Sequence, residues 1–121
     1  MGIKAVQVIL SNEAEDFIRL QDIKVQLKIT YNIRKLESGI IDTNIFKKLD
    51  NSAIWEIRTL FNGICYRLFS FWDTDNETLV IVTHGIVKKT QKTPKKEIRK
   101  AKAIMTRYFQ NKSTDYVKND F

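Results

Sequence analysis

Asn62-Gly63 stands between two runs of strand-forming residues, Ile54 to Phe61 before it and Ile64 to Trp72 after it. This dipeptide tolerates the positive φ angles of a two-residue hairpin turn, and no shorter signal argues more strongly for a β-hairpin. The turn also fixes register. Arg58 lies four residues before Asn62 and Arg67 four after Gly63. Positions equally distant from a two-residue turn are cross-strand partners, so the two arginines are expected to face each other. Like charges so placed destabilise a sheet unless an anion lies between them, and the spacing therefore points to a phosphate site.

The rest of the chain fits around this hairpin. Asp73-Thr74-Asp75-Asn76 is a turn cluster, and Thr78 to Ile86 is a third strand whose apolar continuity predicts a central position. The three form an antiparallel meander. Upstream, Lys4 to Leu10 reads as a strand. Ser11 and Asn12 offer helix caps, with Glu15 three after Asn12 as in a capping box, and the helix is expected to reach about Leu20. Asp22 caps a second helix that carries Val25, Ile29, Ile33 and Leu36 on one face and ends at Gly39. The pair reads as an αα-hairpin or as one long kinked helix. Thr43 to Leu49 is expected to add a further turn or two of helix.

At the other end, Thr93 and Pro94 read as N-cap and first helical residue. Ile98, Ala101, Met105 and Tyr108 line one face of that helix, and lysines and arginines flank it on both sides. After Asn111 the sequence turns polar, so about 112–121 is expected to be a mobile tail. The order β-α-α-βββ-α over a single domain, 1–121, predicts an α+β fold with the helices on one sheet face.

Charge narrows the class of partner. The 21 basic and 14 acidic residues give +7, and the excess is concentrated near the end. Between Lys88 and Arg107 there are nine basic residues and only Glu97 against them. Such a stripe suits a polyanion, through phosphate contacts and counterion release, and an acidic protein would use the same surface. The longest aliphatic run, Leu79 to Val82, is too short for a bilayer, and no membrane partner is expected. The opening Met-Gly-Ile-Lys-Ala-Val lacks the pattern of a secretory signal, so the expected compartment is the cytoplasm. One Cys and one His make neither a disulfide nor a zinc set, and no cofactor is expected.

Three stretches carry a family likeness: Ile54-Trp55-Glu56-Ile57-Arg58, then Tyr66-Arg67 after the hairpin, then His84 through Lys92-Thr93-Pro94 opening a basic helix. They resemble the HigB-like branch of the RelE/ParE toxin superfamily, which includes many phage-derived toxins of type II toxin–antitoxin systems. The Lys88-to-Pro94 stretch is the most specific, and element order and length extend the likeness over nearly the whole chain. The resemblance implies a RelE-like fold and a ribosome-dependent endoribonuclease that cuts mRNA. It implies as partners mRNA on the ribosome and a helix-turn-helix antitoxin, with operator DNA reached only through the complex. The superfamily also has a gyrase-poisoning branch of the same fold, so a ParE-like gyrase inhibitor is the alternative target reading. An inert prophage-derived module that only binds its antitoxin is the third.

Cutting RNA without a metal needs three things. The 2′-hydroxyl must lose a proton, the crowded phosphate must be stabilised, and the departing 5′ oxygen must be neutralised. Toxins of the RelE kind use Lys and Arg for this. The resemblance and the register together make Arg58 and Arg67 the expected phosphate clamp, with Lys88 or Lys89 neutralising the transition state. His84 is the one group titrating near neutrality and is a candidate acid or base. Lys92, Lys95, Lys96 and Lys100 are expected on RNA backbone without base specificity. Glu56 either orients a base or forms a structural ion pair. It stands where the best-known ribonuclease toxins carry a basic residue, which leaves the general base open. Tyr66 and Trp72 are read as core residues, and Thr93 and Pro94 as the start of the helix.

Overall fold

The computed structural model describes residues 5–49, 51–88 and 92–112. Strand β1 (Gln7–Leu10) leads into helices α1 (Asn12–Arg19) and α2 (Ile23–Glu37). Strands β2 (Phe46–Lys48), β3 (Trp55–Phe61), β4 (Ile64–Asp73) and β5 (Asn76–Lys88) follow, and α3 (Lys95–Lys112) closes the order. One five-stranded sheet runs β1-β5-β4-β3-β2. The β3-β4-β5 meander is antiparallel as expected, and its first turn has positive φ at both Asn62 (52°) and Gly63 (78°). β5 lies inside the sheet because β1 pairs with it in parallel on its far side.

Part of the segment 43–49 is not helix: Phe46 to Lys48 pairs antiparallel with Trp55 to Ile57. Phe46 anchors it, buried and stacked on Trp55 at 4.6 Å, with Trp72 edge-on to both. A three-residue strand held by one aromatic has no periodicity to read. The helices also do not share a face. Ile57, Leu68, Val80 and Val82 pack with Val25, Ile29 and Leu36 on the α1–α2 side. Phe69, Phe71 and Ile81 pack with Ala101, Ile98 and Met105 on the α3 side. Alternate residues of β4 and β5 thus serve two cores, which is why those strands read as continuous apolar runs.

Ser11, not Asn12, is the α1 N-cap, so the capping box with Glu15 does not form. The Ser11 hydroxyl accepts from Ala14 N at 3.0 Å and donates to Thr83 O at 2.7 Å. Thr83 is the extra residue of a β-bulge: Phe69 pairs with His84, but the next residue, Ser70, pairs with Val82. Without the bulge His84 would share the α1–α2 face with Val82; with it, His84 points toward α3. Gly39 ends α2 with φ 93°, the left-handed position that a helix-closing glycine supplies. No described helix is long and apolar enough to cross a membrane. The tail reading for 113–121 and the site residue Lys89 lie outside the described residues.

Candidate functional site

The register places the candidate side chains on three successive rungs across the α3 face of β3, β4 and β5. The first rung is Glu56–Phe69–His84, the second Arg58–Arg67–Ile86, the third Leu60–Cys65–Lys88. Rungs two residues apart along a strand lie about 7 Å from each other. The first rung lies beneath the start of α3, and the third is next to the hairpin.

Arg58 and Arg67 are partners, as the turn geometry predicts. The anion between them is internal: Glu56 reaches Arg67 Nη1 with Oε2 at 3.2 Å and Arg58 Nε with Oε1 at 3.5 Å. The repulsion between the arginines is therefore relieved by a side chain of the protein itself, and of the two readings of Glu56 the ion pair is the one formed. Thr93 completes the cluster. Its hydroxyl donates to Glu56 Oε2 at 2.9 Å and accepts from Arg67 Nη1 at 3.0 Å. Thr93 thus ties the entry to α3 onto the sheet, in place of the N-cap role expected of it. Exposure divides the arginines: 24% of the Arg58 side chain is accessible against 2% for Arg67. Two guanidinium groups and one carboxylate leave the cluster with a net positive charge facing the solvent side at Arg58.

His84 is buried, stacked on Phe69 at 4.8 Å, with both ring nitrogens engaged. Nδ1 lies 2.8 Å from Thr83 Oγ1 and Nε2 3.0 Å from Glu97 Oε1 on α3. Burial pushes its pKa below the ordinary histidine value. The Glu97 hydrogen bond pulls up less strongly, and the Lys100 charge pushes down further. A neutral ring with its proton on Nε2 donates to Glu97, and Nδ1 shares the single Thr83 hydroxyl proton with the Phe69 carbonyl, which lies 3.2 Å from Thr83 Oγ1. The structure thus places His84 one rung behind the arginines and under the helix.

A cleft of about 620 Å³ opens where β2 stops alongside β3. Arg58 and Arg67 line it, as do Cys65 and Leu60, and α2 contributes Lys28, Tyr31 and Lys35 from beyond the sheet edge. The α2 side chains were not among the expected site residues. Periodicity marked only the buried face of that helix, and nothing local shows that its other side projects past the sheet. Lys88, half-buried, closes the third rung beside Cys65. Lys92, Lys95, Lys96 and Lys100 are exposed on or beside the outer surface of α3, Lys100 in an ion pair with Glu13 of α1 at 2.6 Å. Tyr66 is buried and Trp72 half-buried in the α1–α2 core, as read from the sequence. Among the described residues no cluster of three or more His, Cys, Asp or Glu could hold a metal ion.

Residues 16–106 match the family described as "Phage derived protein Gp49-like". No curated protein matches the sequence. Among solved structures, the fold is similar to a mutant of the E. coli toxin RelE in the free state. The TM-score is 0.56 and the identity 18%, over 84% of this chain and 98% of that one. A chain of the intact E. coli RelBE toxin–antitoxin complex is also similar, with TM-score 0.50 and 21% identity over 73% of this chain and 100% of that one. At these identities the likeness is one of fold.

Proposed function

The chain belongs to the family of phage-derived Gp49-like proteins, and on that premise we propose that it is the toxin of a type II toxin–antitoxin pair, of the HigB-like kind, that cuts mRNA on the ribosome. The observation that carries this reading is the cross-strand pair Arg58 and Arg67, held by the Glu56 carboxylate at the wall of a cleft lined by further cations. The RelE-like fold supports it. So does the charge of +7, which suits a particle made largely of RNA.

In this reading the mRNA 2′-hydroxyl loses its proton to solvent water and attacks the adjacent phosphorus. The P–O5′ bond breaks, and the products are a 2′,3′-cyclic phosphate and a 5′-hydroxyl. Arg58, the accessible member of the pair, binds the non-bridging oxygens as charge grows on them. Arg67 adds its field from the floor of the cleft, and with Glu56 it fixes the Arg58 guanidinium. Lys88, or Lys89 next to it, neutralises the leaving 5′ oxygen. His84 acts through Glu97 by seating the first turn of α3 and not on the reacting atoms. The exposed lysines 92, 95, 96 and 100 hold RNA backbone without reading sequence. The antitoxin, a helix-turn-helix protein, is the partner that silences the toxin, and operator DNA is reached through that complex.

Controlled expression without the antitoxin, with primer extension on an abundant mRNA within minutes, tests the reading. Cuts in phase with codons that vanish in Arg58→Ala are the expected result. Growth arrest with intact mRNA and a DNA-damage response would place the target at gyrase instead. Harmless expression would leave a module that only binds its antitoxin.

A further inference from the structure

The α2 wall of the cleft is more than a boundary. Tyr31 is 59% exposed although it sits on a helix whose opposite face is buried, and it lines the same cleft as Arg58. Its position relative to the arginine is set by its neighbour. Asn32, buried, donates to Thr59 Oγ1 at 3.0 Å and to the Arg58 carbonyl at 3.4 Å, so this turn of α2 is pinned to the backbone that carries Arg58. Lys28 Nζ lies 5.5 Å from the centre of the Tyr31 ring. Lys35, one helical turn on, lines the cleft with its ammonium 3.5 Å from Asp42. The Ile45 carbonyl takes the Arg58 N–H at 2.6 Å, and pairing on that side of β3 goes no further among the described residues. The opening past it is therefore a notch in the sheet edge, floored by a guanidinium pair and walled by an aromatic ring between lysines. Its volume, about 620 Å³, lies within the range of about 300–1,000 Å³ typical of small-molecule pockets.

An exposed aromatic ring flanked by cations, next to a phosphate-binding arginine, has the make-up of a platform for a single-stranded base. We propose that the notch is a nucleotide subsite. Tyr31 stacks on the base adjoining the scissile phosphate, and Lys28 and Lys35 hold the phosphate on that base's far side. This rests on the reading of the Arg58 cluster as the phosphate site and adds the group that positions the neighbouring nucleotide. Stacking tolerates any base, so the subsite orients the strand more than it selects sequence. An acidic protein segment is the competing occupant of this wall, because Ile23 and Leu27 continue an exposed apolar stripe from Tyr31 along α2. Lys28 over the ring and the arginine pair on the floor of the same cleft favour the nucleotide.

The test is binding of an uncleavable 2′-O-methyl heptaribonucleotide to the full chain, read by fluorescence anisotropy. Alkylation of Cys65, a free thiol on the same cleft wall, serves as a second readout. Tyr31→Ala is expected to weaken binding about tenfold and to remove the protection of Cys65. Tyr31→Trp is expected to restore both, and Lys28→Ala to flatten the dependence of log Kd on log salt by about 0.7, one phosphate's worth. If Arg58→Ala weakens binding while Tyr31→Ala does not, the subsite is wrong and the phosphate site stands. The α2 stripe would then belong to a protein partner. If Tyr31→Trp fails to rescue Tyr31→Ala, the ring acts by shape within the protein, and stacking is overturned. If the wild type cuts mRNA in cells but binds no heptamer, the subsite falls and the cutting activity survives it.

Discussion

Removing the Glu56 carboxylate would leave two guanidinium groups facing one another on adjacent strands, one of them sealed from water. Breaking a buried ion pair from one side costs far more than the pair contributes, because the remaining charge keeps its desolvation penalty. Glu56→Gln is therefore expected to destabilise the fold by about 3 kcal/mol, measured by urea unfolding. A loss below about 0.5 kcal/mol would mean that the carboxylate is not the counter-charge of Arg67. His84 gives a second residue-scale expectation. Burial holds its folded-state pKa below the ordinary 6.5, so as the pH falls the unfolded chain takes up the proton first. Stability is full above about pH 6.5 and declines as the pH drops through the folded-state value. His84→Gln is expected to flatten the stability profile in that window. It should leave the loss at lower pH, where Asp73 titrates; burial pushes that carboxyl up, but hydrogen bonds from Lys112 and Tyr108 overcome the effect and hold it below 3.8. An unchanged slope near pH 6 in the variant would contradict the assignment.

Elements in this fold are positioned by a few buried polar side chains. Ser11 caps α1 and satisfies the Thr83 carbonyl at the bulge, so one hydroxyl joins helix, turn and central strand. Ser11→Ala removes the cap and leaves a buried carbonyl without that donor. The expected loss is about 2 kcal/mol, with amide exchange accelerated in α1 and around Thr83. A loss confined to α1 would show that the bulge holds without Ser11. At the opposite end, Asp73 takes Tyr108 Oη and Lys112 Nζ, each at 2.6 Å, and anchors the last turns of α3 to the β4–β5 turn. Together with Thr93 and Glu97 at its start, this fixes α3 across the sheet at both ends. At this scale the sequence is informative where structure is local. The Asn-Gly turn predicts the Arg58–Arg67 pairing to the residue, and the apolar spacing of α2 and α3 predicts their buried faces. It is silent where the cause is distant. The carbonyl at the bulge is met by a serine 72 positions away, and β2 is anchored by a stack of Phe46 on Trp55.

For the whole molecule, two cationic groups line one notch, the arginine pair on the sheet and the lysines of α2, and the exposed lysines at the start of α3 add a further basic surface. Composition reveals the excess charge and its concentration between Lys88 and Arg107, but not that α2 joins it, because that requires the helix to extend past the edge of β3. The fold is similar to that of RelE, and in this chain Glu56 sits at the centre of the arginine cluster. On the proposed function, Arg58 serves the transition state more than it serves docking. The most direct measurement is single-turnover cleavage of mRNA on programmed ribosomes by wild type and Arg58→Ala, with ribosome affinity measured in parallel. For Arg58→Ala the expected rate is lower by at least about a hundredfold, with affinity changed by less than about threefold. An unchanged rate, or a loss wholly explained by weaker ribosome binding, would contradict that role.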